Sequence, residues 1–179
     1  MTTLADIAKL VESQRGKPPI EKWQPELSGD IDIRIAANGD WFHEGDKIER
    51  HALVVLFASI LRREADGEYY LVTPVEKWRI AVEDLPLTIV LMEQADGEIA
   101  LKTNTNEWLR LSNEHNLSMG GGATDSPSSE PKPEVSLWHG LKARINRNVF
   151  YQLVDIAEQK DGELVLYSCE QSFSLGKFE

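Results

Sequence analysis

The chain has 179 residues, of which 41% are hydrophobic and 27% are charged, so it can bury a core as one domain or as two small ones. Thirty acidic residues against nineteen basic ones give a net charge of −11, so the average surface repels DNA, RNA and anionic membranes. Polynucleotide and membrane partners are therefore not expected. A small anion held by two or three local arginines or lysines remains compatible with this charge, because salt screens the distant acids.

Segments for targeting or membrane insertion are not evident in this sequence. It has no run of about eighteen apolar residues, and its first residues lack the pattern of a signal peptide. The single cysteine, Cys169, can form no internal disulfide, which agrees with a reducing compartment. A cytoplasmic location is the expectation that follows.

The predicted elements begin with a short amphipathic helix over Leu4 to Val11 and a strand over Ile31 to Ile35, which turns back through Asn38-Gly39. An apolar stretch from Ala52 to Leu61 predicts a helix covered on more than one side. Further strands are predicted, mostly in antiparallel meanders, at Tyr69 to Thr73, Arg79 to Val82, Leu87 to Met92, Ile99 to Lys102 and Trp108 to Leu111. A second helix over Val149 to Ala157 and a hairpin from Leu164 to Leu175 complete the series.

One feature of the sequence is an internal duplication. Arg50 and Arg147, Leu56 and Leu153, and Trp41 and Trp138 all stand 97 residues apart, and Asp-Gly follows each predicted helix. With few helices among many strands, the predicted class is α+β. We expect an N-terminal half at residues 1–84 and a C-terminal half at 85–179, interrupted by a flexible loop at 119–134 that is rich in Gly, Ser and Pro.

Motifs for catalysis and for cofactors are absent from the sequence. The four histidines, at positions 43, 51, 115 and 139, lack the spacing of a metal site, and Gly120-Gly121-Gly122 is followed by no Gly-Lys-Ser/Thr of a phosphate loop. No Gly-x-Ser-x-Gly elbow is present, and thirty acids make chance carboxylate pairs too common to indicate a hydrolase. No catalytic residue, metal or cofactor is therefore predicted.

Arg50 and Arg147 are the most informative polar residues. Each lies at the start of its predicted helix, where a positive side chain opposes the helix dipole unless an anion is near. Free backbone N–H groups beside a guanidinium form a site for phosphate, so both arginines are candidate ligand-binding residues. The alternative is a structural salt bridge, or packing over Trp41 or Trp138.

The first copy also suggests a basic pocket with aromatic walls. Lys77 is predicted to join Arg50 there, beside Trp41 and Tyr70, which completes the set of candidate ligand-binding residues. If the pocket exists, replacing either cation should weaken anion binding without destabilising the fold.

Several stretches resemble a bacterial family known as domain of unknown function 1285. The resemblance rests on Trp41-Phe42-His43-Glu44-Gly45, on Leu53 to Glu64 and on Asp66 to Lys77, and it weakens after Asn113. In the last turn, Glu170 replaces a glycine of the family pattern. The resemblance implies a duplicated α+β fold, a C-terminal half similar to a pleckstrin-homology domain, and a cleft between the halves that binds a nucleotide-like ligand in signalling; it implies no enzymatic activity.

The leading functional expectation is a non-enzymatic module that binds a small anionic ligand. An interaction scaffold for a protein partner is the alternative, and a hydrolase comes third. The sequence specifies neither the ligand nor the oligomeric state.

Overall fold

The computed structural model describes residues 18–120 and 132–177. It divides into two compact units. The first consists of the described residues up to Pro86 together with His139–Leu141, and the second of Leu87–Trp138 together with the described residues from Lys142 onward. Within these ranges the chain is mostly strands with two α-helices, which is an α+β architecture, as predicted. Neither helix is long and apolar enough to span a membrane. The helix predicted at Leu4 to Val11 lies outside the described residues.

The first unit is built on one six-stranded sheet with a single α-helix. A 3-10 turn at Ile20–Lys22 precedes it, and helix α1 spans His51–Ala58. The strand order is β3-β2-β1-β6-β5-β4. The strands are β1 (Gly29–Ile35), β2 (Trp41–His43), β3 (Asp46–Lys47), β4 (Leu61–Arg63), β5 (Tyr69–Val72) and β6 (Lys77–Val82).

The second unit contains a six-stranded sheet, a helix and a three-stranded sheet. The larger sheet has the order β10-β11-β12-β7-β8-β9, and helix α2 (Arg147–Ile156) connects it to the smaller sheet β13-β14-β15. The strands are β7 (Leu87–Ala95), β8 (Glu98–Thr103), β9 (Trp108–Arg110), β10 (Leu117–Gly120), β11 (Lys132–Ser136), β12 (Lys142–Ile145), β13 (Glu158–Lys160), β14 (Glu163–Ser168) and β15 (Gln171–Lys177).

The two halves share a helix followed by three antiparallel strands. In the first half this is α1-β4-β5-β6 and in the second α2-β13-β14-β15, and β4 and β13 begin 97 residues apart. The repeat predicted from the sequence is therefore present in the structure as well. Trp41 and Trp138, however, are not equivalent: Trp41 lies on β2 in the core, whereas Trp138 is half-buried outside any strand with its ring edge-on to His115.

The predicted end of the first helix needs correction. Helix α1 ends at Ala58 rather than Leu61: the Ser59 hydroxyl donates to the carbonyl of Leu56, and Leu61 pairs with Leu71 in the sheet. A wholly apolar run fits a buried helix and a buried strand equally well, so periodicity alone misplaces this boundary. As a result Leu56 is only half-buried, while Phe57 is fully buried.

Pairing and loop bounds also differ from prediction. The expected meanders form, but β1 pairs in parallel with β6, and β12 in parallel with β7. The ends of the predicted loop at 119–134 belong to strands, because Met119 pairs with Pro133 and Gly120 with Lys132. The remainder of that loop, residues 121–131, lies outside the described residues.

The predicted hairpin turns are confirmed by the backbone. Ala36 and Asp40 bracket Asn38-Gly39, and the amide N–H of Ala36 donates to the carbonyl of Asp40. At Asp96-Gly97 both residues have positive φ angles, 54° and 75°, between the paired residues Ala95 and Glu98. Two consecutive positive φ angles define the tight turn that suits the twist of antiparallel strands, and glycine in the second position adopts it without steric cost.

Candidate functional site

The candidate site is a surface cavity of about 220 Å³ in the second unit, where β11, β12 and the first turns of α2 come together. Its walls combine three cationic side chains with two aromatic rings. They are formed by Lys132, Pro133, Arg144, Ile145, Arg147, Phe150 and Tyr151. We call it the α2 cavity.

The start of helix α2 sets the geometry of one wall. Asn146 has an extended backbone, and its side-chain oxygen accepts a hydrogen bond of 2.8 Å from the amide of Val149, so the helix begins at Arg147. Phe150 and Tyr151 lie three and four residues later, which places them on the same side of the helix as Arg147. Val149 and Leu153 are buried on the other side. Capping and amphipathicity together thus turn one cation and two rings toward the cavity.

Strand β12 supplies the second arginine in a defined orientation. Nη1 of Arg144 donates to the carbonyl of Lys132 at 2.7 Å and to that of Pro133 at 3.3 Å, which ties β12 to the beginning of β11. The same nitrogen lies 3.8 Å from Oε2 of Glu134, whose Oε1 accepts a hydrogen bond of 2.8 Å from Lys142. Arg144 and Lys142 therefore neutralise the charge of Glu134, and the cationic side chains of the lining remain in excess.

The aromatic residues give the cavity an apolar surface that is open to solvent. Tyr151 is 57% exposed, and Phe150 is half-buried beside it with the ring centroids 6.4 Å apart. An exposed aromatic side chain beside cations can stack on a planar group while the cations bind its negative charge. Cationic and aromatic side chains therefore dominate the described lining of the cavity.

The predicted ligand-binding residues fall into separate places. Arg147 lies in the α2 cavity. Arg50, its counterpart, is exposed just before α1, where its carbonyl accepts hydrogen bonds from the amides of Leu53 and Val54 and its side chain caps nothing. Within residues 18–120 and 132–177, the Arg50 guanidinium forms no ion pair, and Lys77 pairs with Glu64.

Lys77 and Tyr70 do come together, in a polar network on the first sheet. Nζ of Lys77 lies 4.8 Å from the ring centroid of Tyr70 and donates a hydrogen bond of 2.8 Å to Glu64. The other oxygen of Glu64 accepts from Nε and Nη2 of Arg62, and Nη1 of Arg62 donates to the carbonyls of Ile20 and Trp23. The network therefore joins β4 and β6 and holds the 3-10 turn on the sheet.

Two carboxyl groups in this network have shifted pKa values. Burial raises the pKa of Glu64, but hydrogen bonds from Lys77 and Arg62 outweigh it and hold this pKa below its ordinary value. The Tyr70 hydroxyl and the amide of Glu68 donate to Asp66 and lower its pKa. The same bond to Asp66, together with burial, raises the pKa of Tyr70. Tyr70 is thus held in its neutral form, and its hydroxyl is already engaged.

Trp41 is a core residue in the structure. It is 1% exposed on β2, and within the described residues its indole nitrogen has no hydrogen-bond acceptor. Its environment is that of a packing residue.

Sequence reasoning missed most of the lining of the α2 cavity. Lys132 stood inside the predicted loop, and nothing in the local pattern placed Arg144 beside it. One signal was present: Lys142-x-Arg144 alternates on a strand that leads directly into the helix carrying Arg147, Phe150 and Tyr151. The strand places Arg144 at the helix entrance, where an anion site would form.

The comparisons with known proteins identify the family. Residues 18–85 match the family model described as domain of unknown function DUF1285, N-terminal domain, and residues 86–175 match the DUF1285 C-terminal domain. A crystal structure of a DUF1285 family protein from Silicibacter pomeroyi is similar to this chain, with 37% identity, a TM-score of 0.88, and coverage of 99% of this chain and 96% of that chain.

A second DUF1285 family protein, from Shewanella baltica, has 32% identity and a TM-score of 0.54, over 69% of this chain and 90% of that chain. No curated protein matches the chain. The two consecutive family models, and a relative that matches nearly end to end, show that this chain belongs to the two-part DUF1285 family.

Proposed function

We propose that this protein is a non-enzymatic module that binds a small anionic ligand, such as a nucleotide-like phosphate, in the α2 cavity. The observation that carries the proposal is the convergence of Lys132, Arg144 and Arg147 on one cavity in a chain whose net charge is −11. Three cations around one concave surface attract an anion although the remaining surface repels it, because the distant charges are screened at physiological salt.

The geometry around Arg144 supports binding rather than catalysis. Its guanidinium is oriented by two carbonyls and by Glu134, so little conformational freedom remains to be lost when a ligand arrives. The beginning of α2 adds the positive end of its dipole. Among the described residues that line the α2 cavity, there is no cysteine, histidine or acidic side chain. Among these described residues, a nucleophile or a general base could come from Lys132 or Tyr151.

Thermal unfolding in the presence of inorganic phosphate, pyrophosphate and nucleotides tests the proposal. A ligand at about 100 times its dissociation constant adds about 2.7 kcal/mol to stability and raises the melting temperature measurably. Arg147→Gln should weaken binding by about 1.5 to 3 kcal/mol, the range for hydrogen bonds to charged groups. No shift with any anion at low ionic strength would contradict the proposal.

Arg50→Gln is the matched control, because Arg50 is the counterpart of Arg147 in the repeat, lies just before α1 and is exposed. It should bind the anion like the unmodified protein. If Arg50→Gln or Lys77→Gln abolished binding while Arg147→Gln did not, the ligand would belong to the basic pocket expected from the sequence in the N-terminal half.

A scaffold function is the second candidate. It is favoured by a row of exposed side chains that crosses β7, β8 and β9. Leu91 is 51% exposed and Trp108 46% exposed, and both pair across the sheet with Lys102. A stoichiometric protein partner retained by Arg147→Gln and lost by Trp108→Ser would favour this function. Tyr167→Ser, at another exposed aromatic residue, is the control.

A further inference from the structure

We infer that the ligand of the α2 cavity is a small anion carrying one planar aromatic ring, which stacks on Tyr151 while its phosphate or carboxylate group lies among the cations. This inference rests on the proposed function and narrows the class of ligand. Two features carry it: the size of the cavity and the exposure of one aromatic side chain at its wall.

The volume limits what the cavity can enclose. At about 220 Å³ it is smaller than the roughly 300 to 1,000 Å³ of pockets that bury drug-sized ligands. One anionic group with one ring fits this volume. A larger ligand such as a nucleotide would extend beyond the cavity into solvent.

The position of Tyr151 indicates that the ligand carries an aromatic ring. Side chains four residues apart on a helix lie about 5 to 6 Å from each other at Cβ, so the ring of Tyr151 and the guanidinium of Arg147 face the same space. Phe150 is half-buried, whereas Tyr151 leaves more than half of its surface uncovered beside the cations. A flat ring bound to the anionic group would cover that surface, and stacking would add to the attraction between the charges.

Binding measurements with four simple compounds test this inference. The compounds are inorganic phosphate, phenyl phosphate, cyclohexyl phosphate and benzoate. The three phosphates separate the contribution of the charge from that of the ring, and benzoate distinguishes a carboxylate from a phosphate. Phenyl phosphate should bind about tenfold more tightly than inorganic phosphate, a difference of about 1.4 kcal/mol. It should also bind more tightly than cyclohexyl phosphate, which is of similar size but not planar. Benzoate binding more tightly than phenyl phosphate would support the inference and assign a carboxylate as the anion.

Three variants test whether the advantage of phenyl phosphate depends on the ring of Tyr151. Tyr151→Leu should remove the advantage of phenyl phosphate over inorganic phosphate, whereas Tyr151→Phe should retain this advantage because it keeps the ring. Tyr167→Leu, at an aromatic residue 42% exposed on β14, should behave like the unmodified protein.

The possible failures differ from one another. If no compound binds, the proposed function itself fails, and this inference fails with it. If inorganic phosphate binds as tightly as phenyl phosphate, or if cyclohexyl phosphate equals phenyl phosphate, the anion site stands and the aromatic ligand is wrong. Retention of the full phenyl phosphate advantage by Tyr151→Leu would also overturn the inference.

Discussion

The amino group of Lys77 donates a hydrogen bond of 2.8 Å to the carboxylate of Glu64, so the lysine expected at a ligand site is engaged inside the first sheet. Arg62 donates to the other oxygen of the same carboxylate. The three side chains are only 11 to 24% exposed, so one carboxylate neutralises two cations that are largely shielded from water. Stability rather than binding is the property most directly linked to this group.

The first prediction follows from that arrangement. Glu64→Gln should lower the free energy of unfolding by about 2 to 3 kcal/mol, somewhat less than the loss of a fully buried partner, because two shielded cations lose their counter-charge. Urea denaturation measures the change. Glu98→Gln, which breaks the exposed pair with Arg110, is the control and should cost no more than about 1 kcal/mol. Equal losses in both variants would contradict this account of the network.

The second prediction concerns the loss of stability at acidic pH. The pKa values of Glu64 and Asp66 are lower in the folded protein than their ordinary values, so folding is favoured by their ionised forms. This contribution is fully present above the unfolded pKa values of about 4 and is lost as pH falls through the folded ones. Unfolding free energy measured from pH 7 downward should therefore decline below about pH 4, and less steeply in Glu64→Gln. A slope unchanged by this variant would mean that other carboxyl groups dominate acid unfolding.

The third prediction separates two tryptophans by burial. Trp41 is 1% exposed and Trp108 is 46% exposed. Trp41→Ala should lower the free energy of unfolding by about 3 to 5 kcal/mol, because it leaves a large cavity in the core. Trp108→Ala should change it by less than about 1 kcal/mol. Chemical denaturation monitored by circular dichroism compares the variants, and a large loss at Trp108 would indicate that its ring supports the fold.

The fourth prediction uses the turn between β14 and β15. Cys169 and Glu170 have φ angles of 51° and 63°, and they connect the paired residues Ser168 and Gln171. Positive φ is unfavourable for residues other than glycine, so Glu170→Gly should raise the free energy of unfolding by about 0.5 to 1 kcal/mol. Glu158→Gly, on the exposed strand β13, should lower it by a similar amount. Thermal unfolding would detect these opposite signs, and a loss at both positions would argue against strain in the turn.

The sequence by itself determined the features that depend on neighbouring residues. Alternation at Ile31, Ile33 and Ile35 predicted β1, and the turns at Asn38-Gly39 and Asp96-Gly97 followed from the positive φ angles that glycine tolerates. The repeat spacing predicted the shared helix and strands, and it placed Arg147 at the start of α2, where the structure has it. All of these are encoded within a few residues or in a direct internal comparison.

Only the tertiary structure decided which distant side chains meet. Periodicity does not specify strand partners, so the parallel pairs β1 with β6 and β12 with β7 were not predicted. Pairing between β11 and β12 brings Arg144 to the carbonyls of Lys132 and Pro133, and α2 then adds its aromatic residues to form the cavity. Register likewise places Lys77 within reach of Glu64. A cation's role depends on the partner that packing places beside it, and that partner is not encoded in the local sequence.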